Sequence, residues 1–141
     1  MRQQKKKRTM MEQQICHQKH IISKLISYAG STLRITLPEL KRRFKDYPLC
    51  QIDYIERDLQ EYLVEIRFDN EQATLSCMFD HDLKCNGSFL FFDDSDGLDD
   101  CINYLKSMHI YDFISCRWQL PDCYLSLKKA ERDACLFFYN K

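Results

Sequence analysis

The stretch Val64-Glu65-Ile66-Arg67-Phe68-Asp69-Asn70-Glu71-Gln72-Ala73-Thr74-Leu75-Ser76-Cys77-Met78-Phe79 decides the fold. Val64, Ile66 and Phe68 alternate with Glu65 and Arg67, Asp69-Asn70 turns the chain, and Ala73, Leu75, Cys77 and Phe79 alternate back. A period of two on both sides of a turn marks a hairpin with one buried face. Downstream, Ser88-Phe89-Leu90-Phe91-Phe92 reads as a buried strand, with its aromatics in the core. A helix follows from about Leu98 to Met108, with acids favoured in its first turn by the helix dipole. Phe113–Gln119, Tyr124–Lys128 and Ala134–Tyr139 read as three more strands. An antiparallel sheet with one packed helix is the expected solution for this half.

Upstream of the hairpin the apolar spacing is helical. Met11, Ile15, Ile22, Leu25, Ile26 and Ala29 predict a helix from about Thr9 to Ala29, stopped at Gly30. Leu33-Arg34-Ile35 predicts a short strand. Thr36 then reads as an N-cap, with Glu39 completing a capping box and Pro38 in the first turn. Leu37, Leu40 and Phe44 line one face of that second helix. Leu49, Ile52, Ile55, Leu59 and Leu63, in steps of three and four, predict a third. The expected fold class is therefore α+β. Residues 1–8 form a flexible basic arm, 9–79 a helical part ending in the hairpin, and 80–141 an antiparallel part sharing one core with it.

Two stretches, Ile35-Thr36-Leu37-Pro38-Glu39-Leu40-Lys41-Arg42-Arg43-Phe44 and Ile52-Asp53-Tyr54-Ile55-Glu56-Arg57-Asp58-Leu59-Gln60-Glu61-Tyr62, carry a resemblance. Over residues 33–79 the order of strand, helix, break, helix and hairpin resembles a winged helix-turn-helix. The second stretch is similar to the x-x-R-D-L-x-x-L helix of DeoR-type bacterial regulators. The resemblance implies a third helix in the major groove and a wing on the DNA backbone. Asp53, Glu56, Asp58 and Glu61 stand against Arg57 alone on that helix, and an anionic helix facing phosphates is repulsive. That departure moves the expected phosphate contacts elsewhere.

Charge points to where. Lys+Arg and Asp+Glu are 21 each, yet residues 1–45 hold twelve cations against Glu12 and Glu39, a net +10 that leaves −10 for the rest. Such asymmetry fits a polyanion partner or mutual neutralisation of the two parts. Nucleic-acid contacts are expected from Lys5, Lys6, Lys7 and Arg8 and from Lys41, Arg42, Arg43 and Lys45, to backbone phosphates with little base readout. The alternative is a protein-interaction module, a small antagonist or adaptor. It would dock a basic partner through Asp94, Asp96, Asp99 and Asp100, with Trp118 as an aromatic anchor.

The chain carries no G-x-S-x-G, P-loop, H-E-x-x-H or G-x-G-x-x-G, so no catalytic residue, enzyme activity or cofactor is expected. Cys77, His81 and Cys85, four apart, carry zinc-ligand chemistry at one loop, but x₃ separations are not the paired C-x₂₋₄-C of a zinc knuckle; unlinked thiols and a surface histidine are the expectation, with no metal. The eight cysteines include no C-x-x-C, and nothing signals secretion, so reduced and largely buried thiols in an intracellular protein, cytoplasmic or nucleoid-associated, are expected. No apolar run approaches about 18 residues, so no membrane partner is expected.

Overall fold

A computed structural model describes the backbone of residues 2–56, 59–130 and 133–141, and the side chains of 12–14, 16–53, 62–129 and 133–141. Helix α1 (Arg2–Ser31) leads into a short α2 (Leu37–Arg43). Four strands follow: β1 (Leu49–Glu56), β2 (Leu59–Phe68), β3 (Ala73–Phe79) and β4 (Cys85–Phe92). Helix α3 (Ser95–Met108) carries the chain to β5 (Ile110–Asp112), β6 (Arg117–Gln119), β7 (Cys123–Ala130) and β8 (Asp133–Asn140). All eight strands form one antiparallel sheet in the order β1-β2-β3-β4-β8-β7-β6-β5. Two four-stranded meanders thus meet where β4 pairs β8, and α3 is the link between them.

Strand alternation sorts the sheet into two unlike faces. Gln51, Val64, Cys77, Ser88, Phe138, Leu125, Trp118 and Tyr111 stand opposite one another in a row across all eight strands. From Val64 to Trp118 that row is buried. Leu25, Ile26 and Ala29 of α1, Leu40 of α2 and Cys101 and Leu105 of α3 join it in a single hydrophobic cluster. The three helices therefore cover one face. α1 touches both β4 and β8, so it lies over the junction of the two meanders. Where α1 ends, the Thr32 hydroxyl donates to the Ala29 carbonyl at 2.7 Å and so can accept from Ser88 at 2.6 Å, which satisfies both buried hydroxyls. Under α2, Phe44 packs on Tyr28 and Phe68 with ring centroids 5.4 and 6.2 Å apart.

The other face carries a second row across all eight strands: Ile52, Leu63, Met78, Gly87, Tyr139, Tyr124, Gln119 and Ile110. None of these belongs to the buried cluster or packs against it. Gly87 is required there by close approach, because a Cβ would lie 2.8 Å from the Phe137 ring. Gly87→Ala is expected to cost about 1–3 kcal/mol through overpacking, read as a lowered denaturant midpoint at unchanged slope.

Several elements match their sequence reading. The hairpin of β2 and β3 pairs Phe68 with Ala73 and buries Val64, Ile66, Phe68, Leu75, Cys77 and Phe79. α3 ends at Met108 as read but starts at Ser95 rather than Leu98, because Asp94 caps it, its Oδ1 accepting from Gly97 N at 2.8 Å. Thr36 caps α2, accepting from Glu39 N. The Glu39 carboxylate, however, turns to Arg42 and Arg43, so the return arm of the capping box is not made.

Four readings are corrected. The third helix expected from Leu49 to Leu63 is instead the β1–β2 pair, registered from Leu49 opposite Ile66 to Glu56 opposite Leu59; residues 57 and 58 lie outside the described residues. Ile52, Tyr54 and Ile55 favour strand, and β2 offers a partner, so pairing overrides the helical spacing. Residues 33–79 accordingly hold one helix and three strands rather than two helices and a hairpin. Leu33–Ile35 forms no strand; only Thr36 bridges to Lys84. α1 starts at Arg2 rather than Thr9, because Gln, Lys, Arg and Met all tolerate helix and no Gly or Pro interrupts them. Residues 113–116 are the turn joining β5 to β6, with Phe113 and Ile114 83% and 97% exposed, not the start of a strand.

Candidate functional site

The helix layer is split by a trough between α1 and α3. Three cavities of about 280, 320 and 420 Å³ follow one another along it. The first two share Gln18, Ile22 and Asp100, and the last two share Tyr104, so they form one groove. The register of the two helices explains its walls. Gln18, Ile22 and Ile26 recur at four-residue spacing along α1, and Asp96, Asp100 and Tyr104 do so along α3.

The two ends differ in chemistry. Near the start of α3, Asp94, Asp96 and Asp100 meet Glu71 and Gln72 of the β2–β3 turn above Ile21, Ile22 and Phe92. Glu71 is matched by Lys24 at 2.5 Å, which raises the lysine pKa. Among the described residues, Asp94, Asp96 and Asp100 have no ion-pair partner. This end therefore carries three carboxylates outside any ion pair, offset in part by the α3 N-terminus that Asp94 caps and by Lys19, which lines the adjoining cavity with Asp100. The far end is lined by Ile26, Met108 and Leu120 with Ser23, Ser27 and Tyr104, and it also carries His109 and a single acid, Asp122. Asp93, next to the acidic end, is spent elsewhere. Arg67 binds it through two nitrogens at 2.6 and 2.7 Å and holds its carboxyl below the usual range.

Of the residues expected to receive a basic partner, Asp94, Asp96 and Asp100 line this groove, whereas Asp99 is exposed on α3 outside it. Trp118 is corrected: it is 4% exposed. Its ring falls on the covered face, 4.8 Å from Tyr111 and edge to face, because the parity of β6 puts Arg117 on the open side instead. There the Arg117 guanidinium lies 3.5 Å over the Tyr124 ring.

The expected phosphate contacts fare differently. The side chains of Lys5, Lys6, Lys7 and Arg8 lie outside the described residues. Lys41, Arg42, Arg43 and Lys45 are all exposed on or just after α2. Arg42 and Arg43 share Glu39, which lowers the glutamate pKa, and Arg43 also donates to the Ser31 carbonyl. None of the groove cavities is lined by an α2 residue.

All eight cysteines are unpaired thiols, five of them buried. Cys77 and Cys85 sit in the core beside Ser88, while His81 is exposed on the β3–β4 turn near Asp82, so the three do not converge. Burial pushes the Cys101 thiol up to about 12. A thiol-specific disulfide reagent is expected to modify Cys16, Cys50 and Cys116 at once in dilute native protein, and the five buried thiols only after unfolding. Fast reaction of more than three thiols would contradict these burials.

The groove was hidden from the sequence. Its acids were visible, but its opposite wall comes from residues more than seventy positions upstream. No family model, curated protein or solved structure matches the chain.

Proposed function

We propose that the protein is a non-catalytic interaction module that receives a basic, amphipathic segment of a partner protein along the α1–α3 groove. The observation that supports this reading is a continuous trough with three unmatched carboxylates at one end and an apolar floor. Lysine or arginine of the partner would meet Asp94, Asp96 and Asp100, and apolar side chains would take the places over Ile22, Ile26 and Leu120. The 14 residues of α3 span about 20 Å, enough for some four turns of a docked helix.

Fluorescence anisotropy with labelled model peptides tests it. A leucine–lysine amphipathic helix of about 18 residues is expected to bind, and to weaken as ionic strength rises from about 0.05 to 0.5 M. A leucine–glutamate peptide of the same pattern should not bind. Equal binding of both, or of neither, would remove the reading.

A polyanion partner is the second reading. It is favoured by Lys41 and Lys45, which have no ion-pair partner among the described residues. Their contacts would be to phosphates, not base edges. Salt titrations on duplex DNA and RNA check it: loss of binding in Lys41→Ala with Lys45→Ala would support it, and no binding at low salt would end it.

A further inference from the structure

The face of the sheet opposite the helices is the largest feature that the groove does not use. Its central row runs from Ile52 to Ile110 across all eight strands without a charged residue. Ile52 and Ile110, at the two edges, are 40% and 76% exposed, and Leu63, Met78, Tyr139 and Tyr124 between them are half-buried. Beside this row, the Phe89 and Phe137 rings stack at 4.5 Å, Phe137 and Tyr139 at 5.2 Å, and Phe89 and Phe91 at 6.5 Å. No helix covers any of them, and none belongs to the core cluster.

We propose that this face is the interface of a symmetric dimer, its occupant a second copy of this chain packed sheet against sheet. Three observations select that occupant. Phe137 is stacked between Phe89 and Tyr139, 23° and 19° from parallel, so these ring faces are taken up by one another in an apolar ridge and are not offered to a nucleobase. Charges of both signs share this face: Glu65 and Asp112 against Lys128 and Arg117, the last with its guanidinium over the Tyr124 ring. Mixed sign suits a self-complementary surface under two-fold symmetry, and gives no net attraction for a polyanion or a polycation. The area also suffices. Six strands with some five residues each and the three-residue β5 and β6, about 4.8 Å apart with about 3.3 Å per residue, present roughly 570 Å² in flat projection. Side-chain relief brings this near the ~800 Å² per partner of a stable interface. Sheets packed this way sit about 10 Å apart. The helix layers, each with its groove, would then face outward.

Sedimentation equilibrium from about 1 to 100 μM tests the proposal, because such an interface should hold a micromolar or tighter dimer. The expected mass rises to twice the 17.0 kDa of one chain. Met78→Glu, which puts a carboxylate from each copy into the apolar row beside Gly87, is expected to return the protein to monomer. Trp118 emission, read from the opposite face, should stay unchanged and report that the variant is folded. A single-chain mass over the whole range would overturn the proposal, as would a Met78→Glu dimer of unchanged strength. A measurement that needs no variant supplements these: mixed dimers of methyl-labelled and unlabelled protein. Intermolecular contacts from the Met78 methyl to aromatic protons of the other copy are expected, and their absence at a concentration where the dimer forms would place the interface elsewhere.

Discussion

Phe138→Ala is expected to lower the unfolding free energy by about 3–5 kcal/mol, a large share of the roughly 5–15 kcal/mol that holds a domain together. Phe138 is fully buried on β8, opposite Ser88 of β4 on one side and Leu125 of β7 on the other. It fills the seam between the two meanders beneath α1. Removing its ring opens a cavity that neither half can close alone. The same position tests whether the halves share one core. Trp118, the single tryptophan, reports on the second meander, and far-UV ellipticity is dominated by the long α1. Both probes are expected to move together in denaturant, in the variant as in the parent. A tryptophan transition that precedes the helical one would show a second meander that unfolds by itself.

Asp96→Lys combined with Asp100→Lys is expected to weaken binding of the leucine–lysine helix by about 10- to 100-fold, that is ~1.4–2.8 kcal/mol. Both substitutions turn an attractive carboxylate into a like charge inside the groove. Asp94 is left in place because its side chain caps α3 at Gly97 N. The lysine at position 96 opposes the helix dipole and costs about 0.3–1 kcal/mol of stability, too little to unfold the protein. Asp99→Lys is the internal control. It changes net charge by the same amount per site but lies outside the groove, so affinity should change by less than about twofold. If the control weakens binding as much as the groove variant does per site, attraction is a matter of overall charge and not of this surface.

How far the sequence discloses the fold depends on whether neighbours or distant segments make the decision. The β2–β3 hairpin is legible because alternation, turn residues and alternation again lie within sixteen consecutive positions, and α2 is legible from Thr36 at its start; α3 is legible as a helix, but it begins at Ser95 under the Asp94 cap, three residues before the expected Leu98. Leu49–Leu63 misleads because steps of three and four coexist there with β-branched and aromatic residues, and only β2 as a partner decides between them. Ser88–Phe92 is apolar at both parities, so its pattern announces a strand without saying which face the helices cover. Phe89 and Phe91 consequently fall on the open side and not in the core. Trp118 belongs to a strand of three residues, too short for its own alternation to fix the parity. The acids of the groove stand out in the sequence, but the groove exists only because α1 lies across β4 and β8, a placement set by pairing between segments far apart in the chain.

Titration of the leucine–lysine helix into ¹⁵N-labelled protein, followed by amide shift changes, addresses where a basic segment sits. The largest changes are expected at Ile22, Ile26, Asp96, Asp100 and Tyr104, the two walls of the trough. Changes confined to Lys41–Lys45, or to Leu63, Met78 and Phe137 on the far side of the sheet, would contradict the assignment.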